Sequence, residues 1–239
     1  MVFTENPTNI DSREKLLDAA VNDVRKWCVP SSTMVDEKKR PDTFWIELFD
    51  PAHSPKITGD EAGRFLTSFQ LTNRVKWDRS AVAALVIDLG SRETFEPTAD
   101  MPALIENVSR CTARGTRQIS AASKIAFFSK PKAKVFIWDR LARKSAKHRQ
   151  KAALSTNSNP EKDYPAFFAA CDRALQDERA KSDFNSAVQA LERDFLRGSG
   201  VMADRSKIPP DFIERRLLDK LMFAEGFSLE RNKQRPGQT

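Results

Sequence analysis

Histidine is almost missing from this chain. The two that occur, His53 and His148, lie far apart, and the three cysteines (Cys28, Cys111 and Cys171) are widely spaced with no Cys-x-x-Cys pair. This spacing argues against a zinc site built from His and Cys. An odd number of scattered cysteines also argues against a disulfide framework and for a reducing compartment. Long apolar runs are missing too, since no window approaches the ~18 residues of a membrane-spanning helix. The opening Met-Val-Phe-Thr-Glu-Asn-Pro has neither the basic start nor the apolar stretch of a secretory signal. These absences predict a soluble, cytoplasmic protein with no membrane partner, no metal and no cofactor.

The most telling scarcity is of acid in one region. Over 108–160 the chain carries thirteen Lys and Arg residues and a single carboxylate, Asp139. That stretch holds a net charge of +12 in a chain whose total is +7, so the remainder is acidic. Cations gathered in one segment and interleaved with Phe127, Phe128, Phe136 and Trp138 predict a polyanion partner, nucleic acid first. A solvated helix face is the plainer reading of such a run. Asp139 likewise admits two readings. It follows an apolar run and precedes a basic helix, where Asp is a good N-cap. Its isolation among cations also suits a carboxylate whose charge is put to use. The two roles are compatible.

Apolar spacing predicts an all-α chain of nine or ten helices. They cover about 11–29, 43–50, 59–69, 77–89, 100–111, 119–128, 139–153, 164–180, 183–196 and 210–224. The segment 43–50 is read as a helix because no second β-rich run exists to pair with it. Thr58 and Glu61 form the pattern of a capping box, and Gly90 marks a stop. Stretches 30–42, 91–98 and 155–163 read as loops, 135–138 as a short extended run, and 230–239 as a frayed tail.

The order Ser123-Lys124, Phe127-Phe128, Pro131 and Ile137-Trp138-Asp139-Arg140 resembles the helix-hairpin-helix DNA glycosylase superfamily. The closer likeness is to bacterial proteins with the 8-oxoguanine-glycosylase fold. It covers about thirty residues. It implies a two-lobed helical glycosylase-like domain over 1–229, with an active-site segment at 116–151 and a flexible tail at 230–239. The family's hairpin is usually glycine-rich, which allows close backbone approach to phosphate. The equivalent run at 119–123 has small residues and no glycine, with Arg110, Arg114 and Arg117 placed to compensate.

The resemblance implies roles for particular residues. Asp139 would stabilise positive charge building on the sugar as an N-glycosidic bond breaks, an effect on the order of 3–4 kcal/mol for one preorganised group. Lys124 would be the amine nucleophile of a Schiff base, the plainer reading being a phosphate contact or a solvated lysine. Trp138, Phe127, Phe128 and Trp77 are candidates for the wall of a pocket receiving a flipped base, although core packing is the default for such residues. Arg117, Ser123, Arg140, Arg143, Lys144, Lys147 and Arg149 would hold the DNA backbone. The implied partner is double-stranded DNA containing a damaged or modified base, met by a monomer. The implied role is repair, or defence against phage DNA carrying hypermodified bases. A non-enzymatic helical DNA-binding protein, and an interaction protein with an acidic partner, are the competing expectations.

Overall fold

The computed structural model describes residues 11–27, 40–50, 52, 57–73, 75–152, 159–198, 209 and 211–233. Ten α-helices account for most of them, and no strand occurs among the described residues. The fold class expected from the apolar spacing is therefore observed. The helices are α1 (Arg13–Trp27), α2 (Asp42–Phe49), α3 (Gly59–Ser68), α4 (Arg79–Ser91), α5 (Pro97–Arg110), α6 (Ile119–Ser129), α7 (Arg140–Ala152), α8 (Tyr164–Arg179), α9 (Ser182–Gly198) and α10 (Asp211–Lys233).

Local chemistry accounts for several helix starts. Thr58 accepts the Glu61 N–H while the Glu61 carboxylate accepts the Thr58 N–H at 2.7 Å, which completes the predicted capping box. Asp78 and Asp163 cap α4 and α8 through side-chain oxygens. Three boundaries differ from expectation. Gly90 lies inside α4, which continues to Ser91. Helix α5 begins at Pro97, because Pro fits the first turn and Asp100 accepts the Glu96 N–H at 2.7 Å. Helix α10 runs on to Lys233, so 225–233 is neither loop nor frayed tail. The rest of the predicted tail, most of the loop at 30–42, and residues 155–158 lie outside the described residues.

The helices pack as two sets. α2 to α6 contact chiefly one another, and α1 contacts chiefly α9 and α10, which with α7 and α8 complete the second set. One continuous apolar core runs through both. On the first side Trp45, Phe65, Phe69 and Phe128 form an aromatic cluster with ring centroids 4.8–6.2 Å apart. Such pairs each contribute about 0.5–1.5 kcal/mol beyond area burial. On the second side, buried Glu178 of α8 accepts from Arg13, Arg149 and Lys181 at 2.5, 2.9 and 3.0 Å. A buried carboxylate is tolerated only when partnered in this way.

The connection after α6 is the most constrained irregular segment. Residues 135–138 are buried and belong to neither helix nor strand, so no neighbouring strand satisfies their backbone. Side chains satisfy it instead. The Tyr164 hydroxyl donates to the Phe136 carbonyl at 3.0 Å and accepts the Phe136 N–H at 3.3 Å. Ser123 Oγ accepts the Trp138 N–H at 2.9 Å. Fully buried Arg215 donates to the carbonyls of Val135 and Pro131 at 3.2 and 2.6 Å.

Candidate active site

A cavity of about 360 Å³ opens between the two helix sets. Lys124 on α6 and Asp139 ahead of α7 both line it. The first set also contributes Asp42, Trp45 and Phe69, and α10 contributes Arg216, Asp219, Lys220 and Phe223. The two residues that the motif singled out as catalytic therefore meet at one place.

Asp139 caps α7. Its Oδ1 accepts the Leu141 N–H at 2.8 Å and its carbonyl accepts the Arg143 N–H at 3.0 Å. Capping uses Oδ1 alone and fixes the carboxylate rigidly at the cavity edge. Lys124 is half-buried, and its Nζ donates to Ser120 Oγ one turn back at 3.2 Å. Burial pushes the Lys124 ammonium below its ordinary value of 10.5, and Arg216 and Lys220 push the same way. Asp139 and Asp219 pull against them. An amine with a lowered pKa is the form that can act as a nucleophile near neutral pH.

Two carboxylates grip Arg216. Its Nε donates to Asp42 at 2.7 Å and its Nη1 to Asp219 at 2.6 Å. Asp42 and Arg216 are buried, so this ion pair bridges α2 and α10 across the mouth between the sets. Burial raises the Asp219 carboxyl above its ordinary value, with Arg216 and Lys220 opposing.

The expected pocket wall is corrected. Phe127, Phe128 and Trp138 are 1%, 0% and 5% exposed and pack in the core, and none of them lines the cavity. Trp77 is half-buried against the bridge to Thr112, and its indole N–H donates to the Leu71 carbonyl at 2.8 Å. The aromatic wall is made by Trp45, Phe69 and Phe223 instead.

The expected backbone-gripping set is also redistributed. Ser123 is fully buried and serves the Trp138 N–H. Arg140 and Lys144 share Glu230, and Lys147 pairs with Glu161. Arg149 binds Glu225 and Glu178 at 2.7 and 2.9 Å. Arg143 lies 4.8 Å from the Trp138 ring centroid and donates to the Glu161 carbonyl. Four of the α7 cations, Arg140, Lys144, Lys147 and Arg149, are thus answered by carboxylates from outside the basic stretch. Arg117 remains exposed, in the turn between α5 and α6, as does Arg114. The run 119–123, which the resemblance equates with a hairpin, is helical here. It forms the first turn of α6, and the one left-handed residue of the turn before it is Gly115 (φ 58°), with open space around it.

Sequence reasoning missed Asp42, Arg216 and Asp219. The available signal was Arg215-Arg216 between Phe212-Ile213 and Leu217-Leu218, two cations in an apolar helical run. Among the described residues no group of His, Cys, Asp and Glu is arranged to hold a metal ion, and no helix is long and apolar enough to cross a membrane. Comparison of the chain with family models, with curated proteins and with solved structures finds no match.

Proposed function

We propose that this chain is a DNA N-glycosylase of the 8-oxoguanine-glycosylase type, a two-lobed helical monomer in the cytoplasm. It flips a damaged or modified base out of duplex DNA and cleaves its N-glycosidic bond. One observation carries the reading: Lys124 and Asp139, picked out by the order of residues in one motif, line the same cavity between the two helix sets. A volume of about 360 Å³ is in the range of small-molecule sites, and such sites favour the join between packed units.

In this reading the cavity receives the extruded nucleoside, with Trp45, Phe69 and Phe223 supplying apolar wall. Asp139, held by its capping bond, faces the sugar and stabilises the oxocarbenium-like transition state. Lys124 attacks C1′, and the resulting Schiff base opens the way to strand cleavage. Arg114 and Arg117 on the hairpin turn bind phosphate, and Arg140 and Lys144 join them if phosphate displaces Glu230.

The test uses duplexes carrying damaged bases and phage DNAs carrying hypermodified ones, with released base and alkali-labile sites as readout. Excision from the first group places the protein in repair, and from the second in defence. Asp139→Asn is expected to lower excision by about 100-fold or more. Borohydride should trap a protein–DNA adduct that Lys124→Ala abolishes. Binding by wild type and Asp139→Asn with no base released from any substrate would leave a DNA-binding protein and end the enzymatic reading.

A further inference from the structure

We infer that Asp219, on α10, is the proton acceptor and donor for Lys124 in the cavity, and that the Asp42–Arg216 pair holds it in place. The inference rests on the glycosylase reading and adds a residue from outside the motif.

Three geometric facts support it. Asp219 and Lys124 line one cavity from opposite helix sets. Arg216 clamps Asp219 at 2.6 Å while its own position is fixed by Asp42 at 2.7 Å, so the carboxyl cannot swing freely. Asp139 Oδ1 is committed to the first turn of α7, and Asp219 lines the same cavity from α10. The charges of Lys124 and Asp219 also act on each other. Burial disfavours the charged form of both, so moving one proton from the ammonium to the carboxylate removes two buried charges at once.

The step balances. The Asp219 carboxylate takes a proton from the Lys124 ammonium. The freed lone pair forms the N–C1′ bond as the glycosidic C1′–N bond breaks, and that bond's electron pair leaves with the base. Protonated Asp219 then gives its proton to the departing base nitrogen. The products are the neutral base and an aminium at C1′, with Asp219 again a carboxylate. General acid–base assistance of this kind is worth about 10²–10⁴-fold in rate.

Two readouts on Asp219→Asn test this. Base release from the best substrate should fall by about 100-fold or more. In the free protein, reductive methylation of Lys124 with formaldehyde and borohydride, located by mass spectrometry, should proceed at least as fast as in wild type. Loss of a nearby anion makes the amine easier to deprotonate. Loss of excision with intact or faster labelling is the expected signature. Wild-type excision by the variant would overturn the inference, and so would a parallel fall in both readouts, the mark of a merely structural residue. If Asp219→Asn does not fold, Asp219→Glu should keep measurable excision while shifting its pH profile, and an unshifted profile would also overturn it. A wild-type protein that releases no base overturns the glycosylase reading itself, a result distinct from these.

Discussion

Ser123 and Trp138 are joined by a buried hydrogen bond: the serine hydroxyl accepts the tryptophan N–H at 2.9 Å and donates to the Ser120 carbonyl at 3.1 Å. Each partner directly precedes a proposed catalytic residue, so this bond sets how far Lys124 stands from Asp139. Ser123→Ala leaves a buried N–H without a partner and should cost about 1–3 kcal/mol in urea unfolding. Base release should fall more than DNA affinity, because placement of the reacting groups is what loosens.

The phenol of Tyr164 plays the same part for Phe136. Burial pushes it far above its ordinary value of 10.0. A raised folded value means that its stabilisation is full below pH 10 and is lost as the pH climbs beyond it. Tyr164 is the only tyrosine in the chain. Phenolate absorbance should therefore appear together with unfolding in alkali and not before it. Tyr164→Phe should lose about 1–3 kcal/mol at neutral pH and show a flatter dependence on pH above 10.

Gly226 allows α10 to lie directly on the start of α7. A Cβ there would stand 2.1 Å from the Leu141 carbonyl oxygen, a backbone atom that cannot step aside without moving the cap at Asp139. Gly226→Ala, mild in most helices, should here destabilise by about 3 kcal/mol, at the upper end of overpacking costs. Thermal unfolding reports the loss, and reduced excision at temperatures where the variant is folded reports the displaced carboxylate.

Glu230 holds Arg140 and Lys144, which keep its carboxyl down at about 2. A depressed value means that the pairing is intact above the ordinary 4.5 and is lost as the pH falls towards 2. Glu230→Gln should release both cations at neutral pH. Duplex DNA should then bind more tightly, and the plot of log affinity against log salt should steepen by up to about two phosphate contacts' worth. Filter binding or anisotropy across a salt series measures both.

Local signals were the legible part of this chain. The Thr58–Glu61 box follows from neighbours in sequence and recurs in the fold, and 43–50, read as a helix for want of a second β-rich run, forms α2. Side-chain facing was less legible. Phe127 and Phe128 carry the composition of a pocket wall, but α6 is buried nearly all round, so periodicity gives them no distinct face. The partners of the basic helix were hidden for another reason. Glu225 and Glu230 lie some eighty residues further on, at the end of a helix whose continuation past Ala224 is polar. The meeting of Lys124 and Asp139 was legible as order along the chain, whereas the third wall of their cavity, α10, was not.

That wall has a consequence for folding. Arg215 pins the segment after α6, Arg216 and Asp219 line the cavity, and Gly226 packs against the start of the helix that Asp139 caps. All four residues belong to α10, the last helix in chain order among the described residues. A chain folded only as far as α9 still lacks the cavity wall that faces Lys124 and Asp139. Lys124 therefore reaches its final surroundings only once α10 has docked against the helices that precede it.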